Sequence, residues 1–434
     1  MSAPREPNRT NHSPLGRTLA RLAWATPGQL DAGMSSLATF FVGIFAVREL
    51  ETEPLAAYAL LFSAFLVAGQ LSTELVLIPS QIIALDAHPL GRLGMIRHSL
   101  PRGAKLSAVG ALAVPLGALP LVGEVERTDL VLLAASACAL AVVSPLQDHL
   151  RAMFHLADQS WVSAGIALAH LSATAVGLLV LGSRAPLLAP FGALVLGNTL
   201  SIFVAAVAFF RIKPEHSPQP TSKQLSSLGV WLLATGVSKT GLAYASRALV
   251  TAVLGTAALG FVEGARVVAQ PINVLAMGLI AQVGPRSTAA SSKGNRQVAK
   301  HWRKRFVQLL AIVALPYIAL TSVPWDLNPF FTLAPRAYAI SGLTAATLLV
   351  ALIGCVLRPL RAELLGARLQ RIVARVTIAA GAVEIAFIGL GGTIFGAYAV
   401  PMGLGAGSII GIYFFNRTMQ NFYESQRLPA SSRH

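Results

Sequence analysis

The sequence predicts an all-α polytopic membrane protein with about 12 transmembrane helices in two six-helix lobes around a central cavity. Its 434 residues are 54% apolar types and only 12% charged types, with a mean hydropathy of +0.64. A soluble domain carries about 25% charged residues. Most of the chain falls into apolar runs of about 20 residues, the length that a helix needs to cross a bilayer.

The apolar runs predict twelve spans, which form two groups of six. A loop with three prolines, Arg211–Lys223, separates the groups. The predicted divisions are an N-terminal tail, an N-lobe, a linker, a C-lobe and a C-terminal tail, at 1–22, 23–210, 211–225, 226–416 and 417–434. The predicted spans cover 23–47, 55–84, 104–122, 129–150, 161–182, 186–210, 226–254, 257–284, 306–324, 338–357, 371–392 and 394–416.

The distribution of basic residues predicts the orientation in the membrane. The two tails and the even-numbered loops hold 27 of the 34 Lys and Arg residues, whereas the odd-numbered loops hold 4. Because basic loops stay in the cytoplasm, we expect a plasma-membrane protein with both termini inside. The net charge of +16 then faces the anionic lipids of the cytoplasmic leaflet, so that no nucleic-acid partner is needed to explain it.

Several kinds of chemistry have no signature in the sequence. It contains no phosphate-binding G-x-x-x-x-G-K-[ST] loop, no H-E-x-x-H or G-x-S-x-G motif and no His, Cys and carboxylate cluster with metal-ligand spacing. The two cysteines, Cys138 and Cys355, both lie in apolar runs. We therefore expect neither an enzyme nor a cofactor or metal site.

Charged residues inside the predicted spans are the candidate functional residues, because a charge in a membrane span costs roughly 3 kcal/mol on insertion scales. One group of three is basic and suits binding of an anionic group such as a phosphate. The other group is acidic and suits uptake of a proton or Na⁺ that drives transport. The basic group is Lys239, Arg247 and Arg266, and the acidic group is Asp31, Glu74 and Glu263.

A purely structural interpretation of these charges is that they pair with one another. Arg247 and Glu263 stand eight residues on either side of Gly255, so they share a depth in an antiparallel helix pair. On this interpretation Arg247 pairs with Glu263, and Lys239 pairs with Asp31 or Glu74; the binding and coupling roles remain the alternative. With three basic and three acidic groups, the sequence predicts a cavity of mixed charge.

Several local patterns resemble the oligosaccharide flippases of bacterial polysaccharide synthesis, which are grouped with the lipid II flippase and the multidrug-and-toxin extruders. Ala46-Val47-Arg48-Glu49-Leu50 followed by Leu55-Ala56-Ala57-Tyr58-Ala59 is similar to the family's "A-R-x-L … F-G-x-Y-A" stretch. Gly260-Phe261, Ala265-Arg266 and Pro271 resemble its eighth span, and Gly396-Ala397-Tyr398 resembles the pattern before its last span.

The resemblance implies two six-helix lobes around a V-shaped cavity. It also implies alternating access that moves a lipid-diphosphate-linked sugar from the inner to the outer leaflet. Arg266, in the eighth span, is the position that the resemblance marks for diphosphate binding.

Three other functions remain open from the sequence. A proton- or Na⁺-coupled drug antiporter has the same fold and favours an acidic cavity. A major-facilitator-type transporter also has six plus six spans, but 86–97 carries its loop signature only in fragments. A membrane glycosyltransferase needs an acidic outer loop, and the loop at Glu49–Glu53 is only about seven residues long.

Overall fold

Twelve long helical segments form the fold in a computed structural model that describes residues 14–123, 125–215, 220–323, 325–338, 340 and 342–426. Most of the predicted N-terminal tail and C-terminal tail, and 216–219 of the linker, lie outside these residues. The segments are α1 Pro14–Glu49, α2 Thr52–Ala84, α3 Pro89–Leu121, α4 Arg127–Leu156, α5 Ser160–Arg184, α6 Ala189–Ile212, α7 Ser222–Leu254, α8 Thr256–Ser292, α9 Arg296–Ser322, α10 Leu343–Gly366, α11 Gln370–Phe395 and α12 Ala399–Ser425.

The described chain is an all-α, multi-pass membrane protein. By length and composition, nine stretches can cross a membrane, and ten if the bent helix α8 counts as one span. One of the nine, 370–425, contains both α11 and α12, and α7 is not among them. Since the number of segments is even, α1 begins and α12 ends on the same side of the molecule, which we call the terminal face. The opposite side is the far face.

The helices extend beyond the predicted spans, mostly on the terminal face. α4 continues to Leu156 instead of residue 150, and α10 continues to Gly366 instead of residue 357. Hydropathy reports which residues lie in hydrocarbon, whereas a helix ends where its backbone loses hydrogen-bond partners. These additional turns carry arginines that the sequence analysis assigned to loops.

The same helix packing occurs twice. In the first six segments, α1 packs on α5, α2 on α3 and α4, α3 on α4, α4 on α6, and α5 on α6. In the last six, α7 packs on α11, α8 on α9 and α10, α9 on α10, α10 on α12, and α11 on α12. Between the lobes, α1 contacts α8, α2 contacts α7, and α2 contacts α8. The fold is therefore two six-helix lobes related by an internal repeat, a design common in secondary transporters.

The repeat is visible at the ends of α4 and α10. Leu150-Arg151-Ala152 in α4 and Leu360-Arg361-Ala362 in α10 each stand at the same distance from the helix end. Each helix is followed by a residue with left-handed backbone, Asp158 at φ 61° and Arg368 at φ 59°.

Buried apolar residues join the two lobes toward the far face and separate them toward the terminal face. One cluster contains residues of both lobes, among them Val47, Leu60, Leu259 and Ile388. Toward the terminal face, each lobe has its own cluster, one with α4 and α6 residues and another with α10, α11 and α12 residues. The shared apolar core therefore closes the lobes toward the far face, in the manner of a V, and nearer the terminal face α2 still touches α7 at Leu75 and Gly229.

Candidate substrate-binding cavity

A cavity of about 580 Å³ lies within the C-lobe, between α7, α8, α10, α11 and α12. Its wall contains apolar side chains, five uncharged polar ones and seven charged ones. The charged residues are Lys239, Arg247, Glu263, Arg266, Arg358, Arg361 and Glu384. The structure thus brings the three predicted basic residues together in one cavity, with Glu263 of the predicted acidic residues.

Glu263 binds two arginines at the end of the cavity nearer the far face. Its Oε1 accepts a hydrogen bond from Nε of Arg247 at 2.8 Å, and its Oε2 accepts one from Nε of Arg266. The Glu263 side chain is 3% exposed, whereas those of Arg247 and Arg266 are 18% and 34% exposed. This trio, which we call the far layer, leaves one net positive charge and fixes the hairpin of α7 and α8.

Three further cations form a second layer, closer to the terminal face. Lys239 stands eight residues before Arg247 on α7, so the layers are separated by roughly 12 Å along the helix. Arg358 and Arg361 are one turn apart on α10 and line the same cavity. We call Lys239, Arg358 and Arg361 the deep layer.

No carboxylate pairs with the deep layer in the part of the chain that the structure describes. Arg358 donates a hydrogen bond from Nη2 to Oδ1 of Asn273 at 3.1 Å. Neither Lys239 nor Arg361 has a hydrogen bond or a carboxylate oxygen within 4.0 Å among the described residues. The deep layer therefore presents three positive charges whose hydrogen-bond donors remain largely available.

The cavity is cationic, so the predicted mixed charge is wrong. Five basic residues line it, against the carboxylates of Glu263 and Glu384. Glu384 accepts a hydrogen bond from Oγ of Ser246 at 2.7 Å, which places this carboxylate on the cavity wall rather than in helix packing alone. The sequence analysis missed Arg358 and Arg361 because they lie beyond the predicted end of the tenth span.

Asp31 lies outside the cavity and does not pair with Lys239. Nε and Nη2 of Arg151 donate to its two carboxylate oxygens at 2.7 Å and 2.8 Å, and Nε2 of His155 lies 3.0 Å from Oδ2. The Asp31 side chain is 8% exposed. The expected pairing with Lys239 is thus corrected: Arg151 and His155 lie in the last turns of α4, beyond the predicted span.

Glu74 is the N-lobe residue that faces the deep layer. It lies in a π-helical turn of α2, Thr73–Leu77, and its Oε1 would lie 2.9 Å from a Cβ at Gly236 of α7, one helical turn before Lys239. No contact within 4.0 Å joins Glu74 to either cation among the described residues. The expected Glu74–Lys239 ion pair is therefore not formed, although the two residues face each other across the lobe interface.

The described residues contain no group of three or more His, Cys, Asp or Glu side chains arranged to hold a metal ion. The five basic side chains on its wall make the cavity suited to binding an anion. Guanidinium groups bind phosphate oxygens through paired hydrogen bonds, which makes Arg358 and Arg361 suited to such a ligand.

One protein-family model matches the chain, that of the polysaccharide biosynthesis proteins, over residues 158–326. The matched part runs from the end of α4 to a position just beyond α9 and includes Lys239, Arg247, Glu263 and Arg266. A comparison with curated proteins finds no match.

Solved structures of transporters share the fold over nearly the whole chain. An inward-facing multidrug resistance MATE family transporter of the MOP superfamily superposes with a TM-score of 0.71 at 13% identity, covering 94% of this chain and 99% of that one. The outward-facing conformation of a multidrug resistance MATE family transporter gives 0.61 at 14% identity, covering 93% and 96%. A MOP superfamily transporter from Pyrococcus furiosus, whose binding pocket is described as reversed in polarity, gives 0.59 at 15% identity, covering 92% and 95%.

These findings confirm the predicted resemblance to the group of polysaccharide flippases and multidrug extruders. They also confirm the predicted fold, with two lobes of transmembrane helices.

Proposed function

We propose that this chain, a membrane transporter of the MATE and polysaccharide-exporter type, is a flippase that moves a lipid-linked oligosaccharide from the inner to the outer leaflet. The observation that carries the proposal is the deep layer. Lys239, Arg358 and Arg361 line one cavity and have no carboxylate partner among the described residues. Phosphate groups that link a sugar to its lipid carrier supply the negative charge that this layer lacks.

The order of the two layers fits entry from one side. With the terminal face in the cytoplasm of a bacterial plasma membrane, as the basic loops favour, the V opens toward the leaflet where such substrates are made. The phosphates meet the deep layer first, and Arg266 of the far layer, 34% exposed, lies further along the cavity. Alternating access then requires the lobes to part toward the far face and close toward the cytoplasm.

Arg361 is a stronger candidate for phosphate binding than Arg266, since Glu263 already neutralises Arg266. Coupling to a proton or Na⁺ remains part of the proposal. Of the three acidic residues expected to carry it, Asp31 and Glu263 are each held by arginine, and Glu74 is not. Anionic lipids of the inner leaflet are the expected partners of the basic terminal face.

The cationic cavity argues against export of cationic drugs. A cation that entered it would lose hydration next to five like charges, which costs free energy in a medium of low dielectric constant. The proton- or Na⁺-coupled multidrug antiporter is nevertheless the alternative function, and the experiment must distinguish it from the flippase.

The test is translocation by the purified protein in liposomes. A fluorescent lipid-diphosphate-linked oligosaccharide is placed in one leaflet, and its arrival in the other is measured by quenching with a membrane-impermeant reductant. We expect Arg361→Ala and Lys239→Ala to lower the rate at least about tenfold, the loss expected for a charge-assisted hydrogen bond, and Arg266→Ala to lower it less. Lys300→Ala, at an exposed lysine of α9, is the matched control and should transport as the wild type does.

The proposal fails if the wild type does not move the labelled lipid. Export of small organic cations against a proton or Na⁺ gradient by the same liposomes would then establish the antiporter. Equal rates for the wild type and Arg361→Ala would move the substrate site away from the deep layer.

A further inference from the structure

Because the two lobes are related by an internal repeat, the deep layer of the C-lobe can be compared with the equivalent position in the N-lobe. Arg151 and Arg361 each stand five residues before the end of their helices, α4 and α10, which occupy equivalent positions in the two lobes. In the N-lobe, Asp31 of α1 holds Arg151 through two hydrogen bonds. In the C-lobe, Arg361 has no such partner among the described residues. The difference between the lobes is therefore a missing carboxylate.

The position that would supply this carboxylate is occupied by glycine. Asp31 lies 18 residues before the end of α1, and the residue 18 before the end of α7 is Gly236. A Cβ atom at Gly236 would collide with Oε1 of Gln70, its nearest neighbour, and would lie 2.9 Å from Oε1 of Glu74, separations that real Cβ atoms do not adopt. The Glu74 side chain thus packs against the backbone of α7 where a C-lobe side chain would otherwise project.

Glu74 belongs to the other lobe. It meets α7 at Gly236, one helical turn before Lys239, which lines the same cavity as Arg361. α2 and α7 touch again at Gly229, where a Cβ would lie 2.8 Å from Cα of Leu75. This crossing lies on the terminal half of the V, where the lobes otherwise have separate apolar clusters. The charge that balances the deep layer is thus provided across the lobe interface, at a contact that a movement of the lobes can break.

We infer that Glu74 is a displaceable counter-ion of the deep layer, and that a phosphate anion bound by Lys239 and Arg361 displaces it and loosens the contact of α2 with α7. The inference rests on the proposed function, because it assumes that the deep layer binds the substrate's phosphates. A ligand must outcompete one carboxylate, so a diphosphate binds well and a monophosphate poorly. Glu74 is therefore a specificity-determining residue that acts through the cations it faces.

The other charged groups near this site add positive charge, which also favours a negatively charged partner. Arg358 stands one turn from Arg361 on α10, and its charge acts on both Lys239 and Arg361. The far layer lies roughly 12 Å away and carries one net positive charge. The cations therefore repel one another when empty, and Glu74 relieves that repulsion until an anion replaces it.

The experiment measures binding of inorganic pyrophosphate and the separation of α2 and α7 in the full chain. The protein is reconstituted in nanodiscs of phosphatidylcholine. Spin labels replace two exposed residues, Leu85 at the end of α2 and Leu228 near the start of α7. We expect pyrophosphate to lengthen the distance between the labels in the wild type. Glu74→Gln should bind pyrophosphate roughly fivefold more tightly, as expected for the loss of one competing charge at this range.

Three variants separate this role from a general effect of charge. Glu74→Gln should also show the longer distance without ligand and bind phosphate and pyrophosphate with a smaller difference in affinity. Glu74→Asp keeps the charge, so it should show the wild-type distance between the labels and the wild-type affinity for pyrophosphate. This variant tests the role of the charge even if Glu74→Gln folds poorly. Glu384→Gln removes a cavity carboxylate that lies within the C-lobe, so the distance without ligand should stay unchanged.

The outcomes distinguish this inference from the proposed function. If pyrophosphate binds equally to the wild type and to Glu74→Gln with no change in distance, Glu74 is not a counter-ion, and the phosphate site remains. If pyrophosphate does not bind to the wild type and Arg361→Ala does not lower the rate of lipid translocation, both proposals fail. Replacing half of the phosphatidylcholine by phosphatidylglycerol tests the source of the phosphate. A longer distance without pyrophosphate would show that a bilayer headgroup is sufficient to displace Glu74.

Discussion

The guanidinium group of Arg151 holds the carboxylate of Asp31 with two hydrogen bonds, from Nε to Oδ1 at 2.7 Å and from Nη2 to Oδ2 at 2.8 Å. Both side chains are nearly buried, with 12% and 8% of their surfaces exposed. The pair connects α1 to α4 within the N-lobe, and His155 adds a third contact at 3.0 Å. This geometry is that of an ion pair that stabilises the lobe.

Replacing Asp31 by asparagine should therefore destabilise the protein. Without Asp31, the nearly buried Arg151 keeps only the exposed carboxylate of Asp148, which lies 3.1 Å from its Nη1. Breaking a buried pair costs about 3–5 kcal/mol when no partner remains, so we expect a loss below that range. Thermal unfolding in detergent, followed by light scattering, should show a clear decrease in Tm. Asp86→Asn, at an exposed carboxylate just beyond the end of α2, is the control. An Asp31→Asn protein with normal Tm but no transport would instead support the ion-coupling role predicted from the sequence.

The pairing of Arg247 with Glu263 was predictable from the sequence, and the pairing of Asp31 was not. Arg247 and Glu263 lie in one hairpin, so counting residues from Gly255 was sufficient to place them at one depth. Asp31 pairs with Arg151, which is 120 positions away on a helix that the apolar pattern ended one residue earlier. Arg361 was missed for the same reason, because cationic residues near the ends of transmembrane helices reduce the hydropathy that marks the span. The fold class followed from composition, since apolar runs of bilayer length allow few alternatives.

Replacing Glu263 should destabilise the protein more than replacing either arginine that it binds. Glu263→Gln leaves Arg247 and Arg266 without a carboxylate, whereas each Arg→Ala change leaves Glu263 one cation. We expect Glu263→Gln to lower Tm more than Arg247→Ala or Arg266→Ala does, measured under the same detergent conditions. Equal Tm values for the three variants would contradict this ranking. Tm values equal to that of the wild type would show that the trio contributes no more than a solvated surface pair, which is about 0–1 kcal/mol.

Close packing of α11 and α12 depends on a glycine. A Cβ at Gly407 would lie 2.7 Å from the backbone oxygen of Ala380, so Gly407→Ala forces the helices apart. At Gly278, in the interior of α8, the same atom meets nothing within 4 Å. We expect Gly407→Ala to lower Tm and Gly278→Ala to leave it unchanged or raise it, because alanine is favoured over glycine by about 1 kcal/mol inside a helix. Small residues let helices approach closely in membranes. A Tm of Gly407→Ala equal to that of Gly278→Ala would contradict the packing described.

The seal toward the far face predicts one-sided access to the cavity. Thr377 of α11 lines the cavity, whereas Leu327 lies between α9 and α10 near the far face and is 76% exposed. With Cys138 and Cys355 replaced by serine and alanine, Thr377→Cys should react with a membrane-impermeant maleimide only from the terminal face, and Leu327→Cys only from the far face. Right-side-out and inside-out vesicles give the two sides, so the same assay tests whether the terminal face is cytoplasmic. Pyrophosphate should slow the reaction of Thr377→Cys, because a ligand on the deep layer occupies the cavity. Equal labelling of Thr377→Cys from both sides would contradict a V that is sealed toward the far face.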